Sequence, residues 1–335
     1  MNKKILLGTT VLISVAAALA LSDKLANSRD ERIGRPMATI ASLLGMDAIR
    51  IAKGDKELLL VTDKDSVWRM GSDTGFPADA AKVGRLIDDL TRSDVQMLVS
   101  EAKEPSESFG LATATEVTLR KAGSDVLSLK LADQRDRGGQ FIAFGRDHRV
   151  YLINQPMAIV PEESSWELKR LLNVSANQIQ RLEFKPAAAS GKKEVVLLRN
   201  KAEDAVKIET LPTGAKESSQ IRSHEGILSA VDYTKREVGS SPDAQKAMAK
   251  PSVLMATLFD GRSFEVKVGS IGDASKRYFI SIVAKSGQQT PSKEAQEIDW
   301  LNSVMQSHTF EVSSMVAERF FKGLDDMLEK KGSKS

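Results

Sequence analysis

The sequence predicts an α+β protein: two tandem antiparallel-sheet-plus-helix repeats preceded by an N-terminal transmembrane or signal helix. Three observations carry this expectation. Strand-length apolar runs bounded by turn residues flank one amphipathic stretch over residues 78–92. The same order of features returns 130 positions later, from Ile49 to Ile179. The chain also opens with Lys3 and Lys4 ahead of 17 uncharged residues, 5–21.

The opening segment is the first element. As a helix its 17 residues span about 26 Å, slightly short of the roughly 30 Å hydrocarbon core. Two readings follow. In a cleaved signal peptide the lysines form the basic end, and Ala18-Leu19-Ala20 supplies the small residues before the cut. In an uncleaved anchor the lysines stay in the cytoplasm and everything after Leu21 lies outside. Both place the folded part in the periplasm, either on a single-pass inner-membrane anchor or released by cleavage. Residues 23–35 are polar and highly charged, and Ile40, Leu43 and Leu44 follow at helical spacing, so 23–48 reads as a stalk with a short helix.

Strands are expected over 49–52, 57–62 and 67–70, with Asp63-Lys64-Asp65 as a hairpin turn. Phe76-Pro77 ends this run, and a helix follows whose Val83, Leu86, Ile87 and Leu90 recur at i, i+3, i+4 and i+7. Strands resume over 95–99, 116–121, 127–131, 141–144 and 150–153. The second copy repeats the order: strands over 179–184, 194–199 and 206–209, Leu211-Pro212, a helix over 217–231, then strands over 253–259, 263–268 and 278–283. Residues 310–330 carry Val312, Met315, Val316, Phe320, Leu324, Met327 and Leu328 as a helical stripe, ending at Lys330-Lys331. The expected organisation is therefore 1–22 anchor or signal peptide, 23–48 stalk, 49–165 first repeat, 166–300 linker helix and second repeat, and 301–335 amphipathic helix and tail.

Composition narrows the chemistry. Lys plus Arg is 48 against 45 Asp plus Glu, and two of those lysines belong to the opening segment, so no basic footprint for nucleic acid remains. The absence of cysteine excludes disulfides, thiol catalysis, iron–sulfur clusters and thiolate zinc sites, leaving three histidines as soft ligands. His148 falls at a hairpin tip, His224 on the apolar side of the second expected helix, and His308 ahead of the terminal one, so no metal or cofactor site is expected.

Motifs for zinc hydrolysis, phosphate loops, nucleophile elbows and dinucleotide binding are missing. One Ser-x-x-Lys, from Ser190 to Lys193, lies in a turn without companion motifs. Asp88-Asp89, Glu162-Glu163 and Asp325-Asp326 are adjacent, and neighbours on a helix diverge by about 100°, so they read as solvated charge and not as acid–base pairs. No catalytic residue is expected.

One resemblance adds to this reading. Val67-Trp68-Arg69-Met70, Phe76-Pro77-Ala78-Asp79, Val83, Leu86-Ile87, Leu90, Phe109-Gly110-Leu111 and Val150-Tyr151-Leu152-Ile153 resemble the bacterial domain of unknown function DUF4340. The run from Ser165-Trp166 to Leu171-Leu172 is similar to the Trp-containing helix that joins repeats in that family. The second copy departs from the pattern, with Lys207 near the Trp68 equivalent and no Phe-Gly-Leu before Val253. The resemblance implies an exported or membrane-anchored protein without assigned catalytic residues, often encoded beside ABC transporters of the gliding-motility type. From this follows the expected function: a non-catalytic extracytoplasmic scaffold or accessory protein with envelope or inner-membrane protein partners. A periplasmic module holding a small molecule, glycan or lipid between the repeats is the alternative expectation, and a hydrolase using Ser190 or an unrecognised carboxylate pair the third.

Overall fold

The computed structural model describes residues 30–71, 75–101, 109–133, 138–145, 147–272 and 275–329. The expected anchor or signal helix over 1–22 lies outside the described residues. The protein is α+β and mostly sheet, with two compact units, 1–168 and 169–335.

The first unit has strands β1 (Ala48–Lys53), β2 (Lys56–Thr62), β3 (Trp68–Met70), β4 (Val95–Ser100), β5 (Thr115–Lys121), β6 (Ser124–Leu131), β7 (Gln140–Phe144) and β8 (Val150–Ile153). Its helices are α1 (Ile40–Leu43), α2 (Ala80–Arg92) and α3 (Glu163–Trp166). The described strands form one sheet in the order β3-β2-β1-β5-β6-β7-β8-β4, with every pairing antiparallel. Period-two alternation sets the register: Ile49 pairs with Leu60 and Leu119, and Ile51 with Leu58 and Val117, which gathers six buried side chains on one face.

The turn between β2 and β3 is held by Asp63, whose carboxylate accepts the Asp65 and Val67 amides, both at 2.9 Å. Helix α2 starts at Asp79, which accepts the Ala81 and Lys82 amides, and it buries Val83, Leu86 and Leu90 as their spacing predicts. Because β3 and β4 lie at opposite edges, α2 carries the chain across the sheet.

Gly110 takes φ +68° ahead of a short 3₁₀ turn into β5, the tight turn its position suggests. Its open side leaves 3.6 Å to the Ala132 Cβ, so the demand is conformational and not steric. Gly110→Val is expected to lower the unfolding free energy by about 2 kcal/mol, the cost of left-handed backbone for a β-branched residue. Unchanged urea unfolding would contradict this.

Residues 30–48 of the expected stalk are packed into the first unit. Gly34 donates to the Val95 carbonyl at 2.8 Å, Val95 donates to Arg35 at 2.9 Å, and Met37 donates to Ser93 at 3.1 Å. Met37, Ala38 and Leu43 are buried, so residues 30–48 are part of the first unit. Apolar burial and an unpaired strand edge both draw this segment in. Residues 76–78 similarly line the free edge of β3, through Met70 to Phe76 at 2.7 Å and Ala78 to Trp68 at 2.8 Å.

The second unit has β9 (Arg170–Leu172), β10 (Ile179–Lys185), β11 (Val195–Leu198), β12 (Lys207–Ile208), β13 (Val231–Val238), β14 (Ser252–Leu258), β15 (Ser263–Ile271), β16 (Arg277–Lys285) and β17 (His308–Val312). Its helices are α4 (Pro242–Ala247), α5 (Ser292–Ser307), α6 (Ser314–Ala317) and α7 (Leu324–Met327). The order is β12-β11-β10-β14-β15-β16-β17-β13-β9. Leaving out β9, this is the order of the first sheet with nine added to each strand number.

Three expected helices are corrected here. The helix over 217–231 is a 3₁₀ turn at Ile221–His224, and Val231 already opens β13. Ser223 and Ser229 turn their hydroxyls onto the Gln220 and Gly226 carbonyls at 2.7 Å, which favours turns over a continuous helix. The joining helix around Trp166 is the four-residue α3, and Arg170–Leu172 pairs with β13 as strand β9.

The terminal helix over 310–330, and with it the separate segment 301–335, is replaced by β17, α6 and α7. Phe310 and Val312 alternate inward, and β17 is paired on both sides, with β16 and β13. Gly323 then brings the backbone so near residues 192–193 that an added Cβ would lie 2.7 Å from the Lys193 carbonyl. Before β17 stands α5, an element the sequence reading lacks, which buries Ile298, Leu301 and Val304. The Asn302 amide grips the Ala284 backbone through two bonds of 2.9 Å.

Candidate functional site

Three of the most strongly perturbed ionisable groups, Asp147, Arg149 and Tyr151, gather around the first described residues. Asp30 and Arg32 meet Asp147, Arg149 and Tyr151, the last three at alternate positions of the β7–β8 turn and β8. The Tyr151 hydroxyl donates to Asp30 at 2.5 Å, and Arg149 donates to the same carboxylate at 2.8 Å. Arg32 donates to Asp147 at 2.7 Å and to the Tyr151 oxygen at 2.9 Å, while lying 4.7 Å over the Phe144 ring. Arg149 closes on Asp147 through Nε and Nη2, the latter at 2.8 Å.

Charge assistance outweighs burial here. Burial alone pushes the Asp30 carboxyl up, but the Tyr151 hydroxyl, the Arg32 amide and the Arg149 charge together hold it below its ordinary value. Asp147 is likewise raised by burial and carried well below the carboxylate range by its hydrogen bonds from Arg149 and Arg32. Burial, then the Asp30 carboxylate, pushes the Tyr151 phenol up to about 12. Each acid is committed to a cation or a hydroxyl, so the cluster acts as a clasp between the N-terminal segment and the first sheet.

A pH dependence follows with a definite sign. A carboxyl depressed on folding stabilises above its unfolded value near 3.8 and loses that contribution as pH falls through the folded value. A phenol raised to about 12 stabilises below its unfolded value near 10 and loses its contribution as pH climbs between them. The thermal stability of the full chain over Asp30→Asn is therefore expected to be largest between about pH 5 and 9 and to shrink at both ends. A difference independent of pH would contradict the clasp.

A cleft of about 190 Å³ lies beside α2, lined among others by Lys82, Arg85, Leu86, Met157, Ile159 and Trp166. Its walls are pinned. Trp166 Nε1 donates to Val160 at 2.8 Å, Lys82 donates to the Ser165 carbonyl at 2.5 Å, and Asp79 donates its amide to Trp166 at 2.7 Å. Gln140, buried, holds Met157 at both backbone groups, at 2.9 and 3.1 Å. Trp166 is thus a buried strut, as its size suggests, whereas Trp68 on the edge strand is half-buried. In the second unit a cleft of about 350 Å³ is lined by Asn177, Gln178, Asn200, Lys201, Ala202, Phe259 and Asp260.

The residues singled out in the sequence are not brought together. His148 is exposed in the β7–β8 turn. His224 is half-buried with its ring edge-on to Phe184 at 5.9 Å, and burial followed by the Lys322 charge lowers its pKa, which keeps it neutral. His308 opens β17 with Nδ1 2.8 Å from the Ser307 hydroxyl. Among the described residues no group of three His, Cys, Asp or Glu side chains could hold a metal ion.

Ser190 is exposed and its hydroxyl accepts the Lys192 amide at 3.3 Å, while the Lys192 ammonium goes to Asp326 and the Phe321 carbonyl, both at 2.8 Å. Asp88 pairs with Arg92 and Glu162 with Lys56, so those carboxylates serve separate surface contacts. The clasp was not visible in the sequence, because Tyr151 and Asp30 are 121 positions apart and nothing in either local pattern names the other.

The profile of DUF4340, a domain of unknown function, matches residues 68–237, from β3 to β13. No curated protein and no solved structure matches the chain. The matched span covers just over half of the 335 residues and includes α2, Gly110, Tyr151 and Trp166, so the chain belongs to the DUF4340 family.

Proposed function

We propose that the protein is a membrane-anchored, extracytoplasmic scaffold or accessory subunit of an envelope or transport-linked assembly, acting through protein contacts and not through catalysis. The observation that carries this reading is the clasp. Asp30 is fixed to the first sheet with only eight residues between it and the apolar segment 5–21, which supports a fold held close to a membrane anchor at that segment. The five ionisable groups of the clasp are spent on that attachment. The shared strand order of the two sheets supports a duplicated unit, which offers related surfaces twice along one chain.

The chain has no cysteine, so one introduced at Val238, which is 75% exposed, is a unique chemical handle. Val238→Cys is expected to react with a membrane-impermeant maleimide in cells stripped to an intact cytoplasmic membrane, and to remain with the membrane after alkaline carbonate washing. Labelling only after lysis would refute the extracytoplasmic placement.

A further inference from the structure

We infer that one end of the first sheet, led by Ile40 and Leu44, rests on the lipid surface of the membrane that anchors the chain. This deepens the anchored reading above and rests on it.

The strand register assembles that end. Ala48 at the start of β1 lies opposite Arg120 near the end of β5 and opposite Val61 near the end of β2. The β2–β3 turn and the β5–β6 turn therefore share it. The β7–β8 turn joins them alongside β6, through Gly145 donating to Ser128 at 2.7 Å. Asp30 is clasped to the same turn by Arg149 and Tyr151, so the chain enters the fold here.

Leu44 is held at this end as well. The Lys121 ammonium donates to its carbonyl at 2.9 Å, and Asp47 accepts the Ala122 amide at 2.8 Å. Ile40 and Leu44 stand four apart on α1 and its C-cap, hence on one face, and they are 73% and 71% exposed while Leu43 between them is buried. Val67 and Val126, in and beside the neighbouring turns, are exposed too.

The tether decides what this face meets. Between Leu21 and Asp30 stand eight residues, which reach about 27 Å at full extension. The headgroup layer fills several ångströms of that distance. An anchored chain therefore keeps the clasped end close to the lipid, with the apolar pair on that side. Charge does not oppose contact, because Arg32 and Arg149 balance Asp30 and Asp147, Arg120 pairs with Asp125, and Arg69 with Asp63. A lipid surface accepts paired apolar side chains beside neutralised charges.

The test uses the full chain in vesicles of phosphatidylethanolamine and phosphatidylglycerol, with a nitroxide on Leu44→Cys, on Ile40→Cys, or on Val238→Cys in the second unit. The labels at 40 and 44 are expected to be roughly tenfold less accessible to a water-soluble nickel chelate than the label at 238, with raised accessibility to oxygen, as for side chains in the headgroup and acyl boundary. Equal nickel accessibility at all three positions, in chains that stay with the vesicles through carbonate washing, would overturn the lipid contact and leave the anchor standing. Release of the chain by carbonate would overturn the anchor and the contact together. Shielding of position 44 in native membranes but not in lipid vesicles would assign the face to a protein and overturn the inference.

Discussion

Phe310→Ala is expected to lower the unfolding free energy of the protein by about 4 kcal/mol, measured by urea unfolding, with Val238→Ala as a control within about 0.5 kcal/mol. Phe310 is fully buried on β17, where Ile280 of β16 and Arg236 of β13 oppose it on either side. The Tyr233 ring meets it edge-on at 5.1 Å. Truncation removes a ring from a site paired on both edges, where strands cannot easily collapse into the space. If the C-terminal segment were instead a capping helix, one phenylalanine on its first turn would cost far less.

Gly269→Ala is expected to be nearly as damaging for the opposite reason. Gly269 sits on β15 opposite Phe279, and an added Cβ would lie 2.1 Å from the Ala247 carbonyl oxygen and 2.5 Å from its carbon. These are backbone atoms at the end of α4, so no side-chain rotation relieves them. Either α4 lifts from Phe279, against which Ala244 and Ala247 pack, or β15 bends. The expected cost is about 3 kcal/mol, read as a lower urea midpoint with an unchanged slope. Gly110→Ala should cost only about 1 kcal/mol, since its neighbour stands at an ordinary 3.6 Å and left-handed backbone is the sole penalty. A milder effect at 269 than at 110 would contradict the close approach of α4.

These contrasts explain which elements could be read from the sequence. The strands at the centre of the first sheet were legible because buried and less buried positions alternate along them, as at Ile49 and Ile51 on β1. Helix α2 was legible because four apolar residues, Val83, Leu86, Ile87 and Leu90, stand at helical spacing. The second unit hid its departures. Around Ile221 the apolar positions fit a helix while the serines between them favour turns, and the serines prevailed.

At the C-terminus, Val312, Val316 and Phe320 fit a helical stripe, but strand pairing of 308–312 gains two hydrogen-bonded edges that no local pattern reports. Helix α5 was obscured by its thin apolar face, three buried residues in sixteen. The clasp was beyond sequence reasoning altogether, since Asp30, Asp147 and Tyr151 become neighbours only when β8 pairs beside β7.

The central claim is that the protein works outside the cytoplasm by holding other envelope proteins. Lysine crosslinking of the full chain in native membranes, read by mass spectrometry, tests it most directly. Lys56, at the opposite end of the first sheet from Leu44, and Lys250 and Lys293 in the second unit are exposed for the reagent. The account predicts crosslinks from these lysines to a reproducible envelope or inner-membrane protein. Crosslinks confined to the chain itself, in membranes that retain it, would contradict that claim.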